Sequence, residues 1–214
     1  MPPYFRFAIL LILTVMLGLP LGSSSSPGQG HLLATVEVIS QKYCSVEDDE
    51  LFAVDLKLRV NFQNHSDKVL ILDKQFGKFA SEQIIAKSKE SLALGNLESN
   101  PIFDSFGYED PPHFKPSTKL LRSNFILLAP GQSFESSTTV GTYVWYVSKP
   151  DKLSVLNYGS HVLQMGFVGW SYAAKAAQFA EAWQKFGELV TEVIYTEPIE
   201  FQIPRNPTIE KTCN

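Results

Sequence analysis

The chain has few cysteines and no surplus of basic charge. Its 214 residues contain two cysteines, Cys44 and Cys213, and 18 lysines and arginines against 22 acidic residues, which gives a net charge of −4. Nucleic acids and anionic membranes attract clustered Lys and Arg side chains. The composition therefore argues against nucleic acid as a partner, and against a membrane unless the N-terminal segment is retained as an anchor.

The motifs of catalysis and metal binding are lacking as well. The sequence contains no phosphate-binding loop, H-E-x-x-H pair or C-x-x-C pair. Its four histidines are too widely spaced to form a short-range metal-ligand pair. We therefore expect no metal, no cofactor and no enzymatic activity. The acidic pairs at residues 48–49 and 109–110 leave calcium binding open, although solvated turns are the simpler interpretation.

The N-terminus combines a hydrophobic run with a polar exit. Residues 7–21 follow the single basic residue Arg6, and a Ser/Pro/Gly tract occupies residues 23–30. The run is short for a membrane span, which needs roughly 20 residues, and the order is typical of a secretory signal. We expect a signal peptide over residues 1–24, a polar linker over residues 25–32 and a secreted or periplasmic location. The thin basic region leaves a retained anchor open.

The two cysteines predict one disulfide bond. In an exported protein, a minimal even number of cysteines is typically paired. A bridge between Cys44 and Cys213 would close a loop of about 170 residues, which in the chain-entropy model stabilises the fold by on the order of 5 kcal/mol. The alternative is a pair of free thiols, one of them on the C-terminal tail.

Alternating hydrophobicity predicts a chain built mainly of β-strands. The clearest strand is residues 51–62, where every second residue is apolar and would share one buried face: Phe52, Val54, Leu56, Leu58, Val60 and Phe62. Further strands are expected at residues 33–40, 68–72, 119–128, 133–148, 160–170 and 192–203. About seven to nine strands without alternating helices predict an antiparallel immunoglobulin-like β-sandwich, in a single domain over residues 33–214.

Turn residues predict two of the connections. The polar stop at residues 64–67 predicts a hairpin that returns along residues 68–72. Pro130 and Gly131 predict a type II turn before residues 133–148. That segment carries apolar residues on both faces, which indicates a central strand or a strand covered by an insertion.

One amphipathic helix is predicted as an insertion at residues 172–190, before the last strand. Phe179, Trp183, Phe186 and Val190 recur at helical spacing and would form one face. Ser171 is the expected N-cap and Gly187 the expected C-terminal stop. We expect this aromatic face to pack on the sandwich, and a partner-binding face is the alternative.

A loop insertion over residues 77–117 contains the candidate binding surface. Residues 82–88 predict a short strand and residues 89–94 a helical turn. The proline-rich stretch at residues 100–116 carries four aromatic residues, Phe103, Phe106, Tyr108 and Phe114. Exposed aromatic side chains on a loop favour ligand or protein contact. The alternative is that they fold inward and cap one end of the sandwich.

Four segments carry a resemblance to a known class of domain: VNFQNHSDKVLIL (residues 60–72), FILLAPGQSFE (residues 125–135), GSHVLQMGFVGW (residues 159–170) and TEPIEFQIP (residues 196–204). They resemble bacterial secreted immunoglobulin-like or fibronectin-like domains. The chain is also faintly similar to the bacterial intracellular proteinase inhibitor family, from which its export signal and helical insertion depart. The resemblance implies a β-sandwich and carries over no functional residue.

Two functions are compatible with these features. The first is a non-catalytic exported module that binds an extracellular or envelope protein through loops at one end of the sandwich. The alternative is an extracellular peptidase inhibitor that presents the loop at residues 104–115. The sequence leaves the oligomeric state open.

Overall fold

The computed structural model describes residues 31–48, 50–78, 80–99, 115–146, 155–170 and 173–211. Its elements in chain order are β1 (Leu32–Ser45), β2 (Leu51–Asn64), β3 (Leu70–Asp73), β4 (Glu82–Ala86), α1 (Lys89–Ala93), β5 (Leu97–Ser99), α2 (Thr118–Asn124), β6 (Phe125–Leu128), β7 (Ser133–Trp145), β8 (Gly159–Val168), α3 (Ala173–Trp183), β9 (Glu188–Leu189), β10 (Val193–Tyr195) and β11 (Ile199–Ile203).

The first sheet has the antiparallel order β1-β2-β7. Its central strand, β2, alternates as the sequence predicts. The six apolar residues of the predicted face are all fully buried at 0% exposure: Phe52, Val54, Leu56, Leu58, Val60 and Phe62. The residues between them include exposed Lys57 and Arg59. The period of two places one face of the sheet against the core and the other in solvent.

The second sheet has the order β10-β8-β4-β5, and β11 also pairs with β8. All of these pairings are antiparallel. Leu163, Met165 and Phe167 of β8 belong to the same hydrophobic cluster as the buried face of β2. The two larger sheets therefore share one core, and the protein is mainly β with antiparallel sheets.

A third, small sheet has the order β6-β3-β9, in which β3 pairs antiparallel with β6 and parallel with β9. The predicted hairpin between β2 and β3 is therefore wrong. The Asn64 side chain explains the change of sheet, because its Nδ2 group donates to the carbonyls of Lys68 and Leu128, each at 2.8 Å. This polar stop redirects the chain into another sheet instead of folding it back on β2.

The predicted strand over residues 119–128 is half wrong. Its first part is helix α2, and only β6 is extended. The Ser117 hydroxyl caps the helix by accepting a hydrogen bond from the Leu120 N–H at 3.1 Å. Three other local predictions hold. A strand (β4) and a helical turn (α1) lie where they are expected, and the Pro130-Gly131 turn closes through Gln132 N–H to Ala129 C=O at 3.0 Å, with Gly131 at φ 75.

Helix α3 packs its aromatic face inward. Phe179 and Trp183 are 0% and 1% exposed, and they join Phe125 and Trp170 in a second hydrophobic cluster. The helix ends at Trp183, earlier than predicted, so Phe186 lies beyond it and is half-buried. The expected N-cap, Ser171, lies outside the described residues. Among the described residues, no helix is long and apolar enough to cross a membrane.

Glycine is required at position 187 because the main chain of Val69 lies close to it, and not because helix α3 ends there as expected. A Cβ at this position would lie 2.4 Å from the Val69 carbonyl oxygen, and its φ of 157 is in a region that favours glycine. This contact seats β9 beside β3. Val190, the last residue of the predicted helical face, is buried in the larger core instead of the α3 cluster.

We expect Trp183→Ala to lower the free energy of unfolding by about 3–5 kcal/mol, because a large buried aromatic is removed. Its ring packs edge-on against Phe125 and Phe179. The indole N–H has no hydrogen-bond partner among the described residues, so Trp183→Phe should cost much less. Leu94→Ala, at a residue that is 76% exposed, is the control. Chemical denaturation measures all three, and an unchanged midpoint for Trp183→Ala would contradict the packing.

A tyrosine links two strands across the second sheet. The Tyr195 hydroxyl of β10 donates to Glu82 Oε2 of β4 at 2.8 Å, and both residues pair with Gly166 on the intervening β8. Burial, together with the hydrogen bond to Glu82 and its negative charge, raises the pKa of Tyr195 to about 12. The folded protein therefore holds this proton more tightly than the unfolded chain does.

Stability should consequently fall as the pH rises from about 10 to about 12, where unfolded tyrosine has lost its proton and folded Tyr195 still holds it. Below that window the contribution is fully present. Tyr195→Phe should flatten this part of the pH profile, whereas Tyr143→Phe, at a half-exposed position, should not. Denaturation midpoints measured across the window provide the test. An equal slope in the Tyr195→Phe variant would contradict the assignment.

Candidate binding site

The aromatic loop proposed from the sequence lies outside the described residues. This applies to all four of its candidate side chains, Phe103, Phe106, Tyr108 and Phe114. The described residues offer a different candidate, the outer edge of β7 and the groove beside it.

Cys44 lies where the C-terminal segment meets β1. It is 1% exposed, and no cysteine among the described residues is a free thiol. The Ser45 N–H donates to the Glu210 carbonyl at 2.9 Å, and the Glu210 N–H donates to the Tyr43 carbonyl at 2.7 Å. Cys213 lies outside the described residues, so its pairing with Cys44 stays a prediction.

β7 lies at one end of its sheet instead of in the centre, contrary to one of the two interpretations of its sequence. Its even-numbered residues face the core: Val140, Thr142 and Val144 are 3%, 7% and 0% exposed. Tyr143, which suggested a second buried face, is 51% exposed. A strand at the end of a sheet presents a row of main-chain groups for pairing.

The direction of these main-chain groups follows from three contacts. The Gly141 carbonyl accepts a hydrogen bond from Gln83 Nε2 at 3.3 Å. The Tyr143 carbonyl accepts one from the Leu156 N–H at 2.9 Å, and the Trp145 N–H donates to the Leu156 carbonyl at 3.1 Å. All three groups therefore point away from β2. In an antiparallel strand this direction alternates from residue to residue. The main-chain groups of Glu135, Ser137 and Thr139 therefore also point away from β2. Among the described residues they have no hydrogen-bond partner.

A buried glutamine closes this open stretch. Gln83 of β4 is 0% exposed, and its amide occupies the edge of β7 at Gly141. Its Oε1 atom has no hydrogen-bond partner among the described residues. Beyond Gly141 the edge is paired with Leu156, so the open stretch consists of residues 135–139.

A groove of about 830 Å³ runs along the open stretch. It is lined by residues 134–140 of β7, by Lys57 of β2, and by Lys74, Lys78 and Ala80 from the segment that follows β3. Gly77 holds that segment against β7, because a Cβ there would lie 2.9 Å from the Ser136 Cβ and 2.4 Å from the Phe62 ring. The groove therefore has two walls, one formed by Lys57 on the solvent face of the sheet and the other by the segment that carries Lys74, Lys78 and Ala80.

The charged side chains of the groove differ in how they are engaged. Lys74 Nζ donates to the carbonyls of Ser123 and Arg122 at 2.6 and 3.3 Å. Arg59 Nε lies 3.5 Å from Glu135 Oε1 and offsets its charge. Among the described residues, the side-chain ammonium groups of Lys57 and Lys78 form no ion pair or hydrogen bond. The groove is therefore locally positive in a chain whose net charge is −4.

The opposite edge of the same sheet is less open. β1 is bonded near both of its ends, to Glu197 through the Ala34 carbonyl and to Glu210 through Tyr43 and Ser45. Between these points its register shifts between Val38 and Ser40. Such a bulge hinders the pairing of an edge strand, whereas the register of β7 with β2 is regular throughout.

A second cluster of polar groups surrounds His161, which is 0% exposed on β8. Its Nε2 lies 2.7 Å from the Asn157 carbonyl, and its Nδ1 lies 2.7 Å from Glu98 Oε2 of β5. Because a carbonyl oxygen only accepts, Nε2 is the donor to Asn157. A hydrogen bond also joins Nδ1 to the Glu98 carboxyl group. The ring also packs on Phe201. These contacts are those of a satisfied core histidine that joins two strands.

The described residues contain no group of three or more His, Cys, Asp or Glu side chains that could hold a metal ion. Sequence reasoning missed the β7 edge entirely. The available signal was the run of polar residues at positions 135–139, ESSTT, which a strand buried on both faces seldom carries.

Glu98→Ala should destabilise the protein by about 1–3 kcal/mol, because it leaves a buried imidazole nitrogen without its partner. Glu200→Ala is the matched control on the same sheet. Its carboxylate is 64% exposed and lies 3.9 Å from Lys89, so its loss should cost no more than about 1 kcal/mol. Denaturant midpoints compare the two, and equal losses would contradict a structural role for the His161 contact.

Comparison with known proteins gives little to add to this geometry. No family model matches the chain, and no curated protein matches it. Among solved structures, the chain is similar to the crystal structure of an ApaA protein from Bordetella pertussis, at 14% identity and a TM-score of 0.31, over 82% of this chain and 98% of that one. Likeness of this degree does not establish a shared family.

Proposed function

We propose that the protein is a non-catalytic exported binding module of the cell envelope or extracellular space, and that it receives an extended segment of its partner along the edge of β7. The observation that carries this proposal is the open stretch at residues 135–139, whose outward main-chain groups line a groove of about 830 Å³. Adding a strand to such an edge satisfies these groups, and the groove walls contact the side chains of the added segment.

The shape of the edge supports this mode of binding. Ser137 and Thr139 are exposed and small, so no bulky side chain blocks the approach of another strand. Their neighbours Thr138 and Val140 are buried and fix the strand on the core. A rigid edge loses little conformational freedom on binding, which favours affinity.

The export part of the proposal rests on the sequence of residues 1–24, and the Cys44–Cys213 disulfide is the pairing expected in an exported protein. The arrangement of the C-terminal segment along β1 supports the disulfide, since Glu210 pairs with the Cys44 position. For the fold, we propose an immunoglobulin-like β-sandwich, supported by the core that the two larger sheets share. The aromatic loop at residues 103–114 stays a second candidate surface.

The edge can be tested with Ser137→Pro, which removes one outward N–H at a position where proline is tolerated on an edge strand. A labelled peptide of about ten alternating Val and Thr residues is the probe, and fluorescence anisotropy gives its affinity. Ser137→Pro should weaken binding about fivefold or more, as expected for a main-chain hydrogen bond of about 1 kcal/mol. Ser137→Ala keeps the N–H and should bind normally.

The amides of Glu135, Ser137 and Thr139 should also become protected from hydrogen exchange when the peptide binds. Equal affinities for Ser137→Pro and Ser137→Ala, without this protection, would contradict binding at the edge.

A further inference from the structure

We propose that the segment accepted by the β7 edge is acidic, with carboxylate side chains on both of its faces. This inference rests on the proposed function, since it specifies the partner of the same edge. It follows from the placement of two lysines, Lys57 and Lys78, on opposite walls of the groove.

Lys57 stands on the solvent face of the sheet. It pairs in register with Thr139, and it is exposed between the buried residues Leu56 and Leu58. An added strand would lie beside β7, and its side chains would alternate between the two faces of the sheet. Those on the solvent face would lie on the same side as the Lys57 ammonium group.

Lys78 belongs to the other wall. The segment that carries it packs against Ser136 through Gly77, and Ser136 points to the face opposite that of Ser137. The second set of side chains of an added strand would meet this wall. Each face of the added strand therefore faces one lysine that has no ion-pair partner among the described residues.

The same charges disfavour a second copy of this chain as the occupant. If two β7 edges paired, the lysines of both grooves would be brought together, and like charges at an edge oppose pairing. A partner segment with Asp or Glu side chains relieves this repulsion. The lysines would thus exclude one class of partner and favour another.

Three peptides of about ten residues test the inference. Each has Val and Thr at alternate positions, so that all Val side chains share one face and all Thr side chains the other, and in each peptide one Val and one Thr are replaced by Glu, by Gln or by Lys. The Glu peptide should bind about three- to tenfold more tightly than the Gln peptide, as expected for two exposed ion pairs, and the Lys peptide should bind most weakly. High salt should reduce the difference.

The double variant Lys57→Gln and Lys78→Gln should bind the Glu and Gln peptides equally. Lys185→Gln, a change of an exposed lysine beyond α3, is the matched control and should keep the preference. Equal affinity of the unchanged protein for all three peptides, with loss of binding in Ser137→Pro, would overturn the charge preference and leave edge binding intact. Failure of every peptide to bind would overturn both.

Discussion

The alternation of β2 is the constraint on which the rest of the structure depends. Its six buried side chains form the centre of the core, and they fix the strand so that one face cannot turn to solvent. With β1 on one side and β7 on the other, the register of β2 also determines which main-chain groups of β7 remain outside the sheet. The candidate binding edge is thus a consequence of the core and not a separate feature.

Local signals in the sequence predicted the elements whose causes are local. The period of two in β2, the Pro130-Gly131 turn and the inward face of α3 each depend on residues that are close in the chain. The failed prediction of a hairpin between β2 and β3 depends on distant contacts. Asn64 redirects the chain by bonding to Leu128, 64 residues away, and β3 finds its partners in β6 and β9 instead of in the preceding strand.

Sequence reasoning missed the candidate site for a related reason. Whether β7 is central or at an edge depends on which strands pair with it, and the apolar Tyr143 and Trp145 left both a central strand and a covered strand open. Trp145 is buried at 4% exposure next to the bridge to Leu156, whereas Tyr143 is exposed. Only the last residues of β7 are therefore covered, by the pairing with Leu156. The pattern of side chains along β7 does not reveal where this pairing stops.

An open edge is a liability in a β protein, since it invites pairing with further copies of the chain. Here the edge is limited at one end by Gln83, whose amide donates to the Gly141 carbonyl as the N–H of a neighbouring strand would. Because a side chain and not a further strand ends the pairing surface, residues 135–139 remain accessible, and the open stretch of the edge is short. The lysines beside this stretch then oppose self-pairing while leaving main-chain groups available. The lysines that oppose self-pairing at this edge are thus also the residues that would select an acidic partner, so the same two side chains would restrict one kind of pairing and favour another.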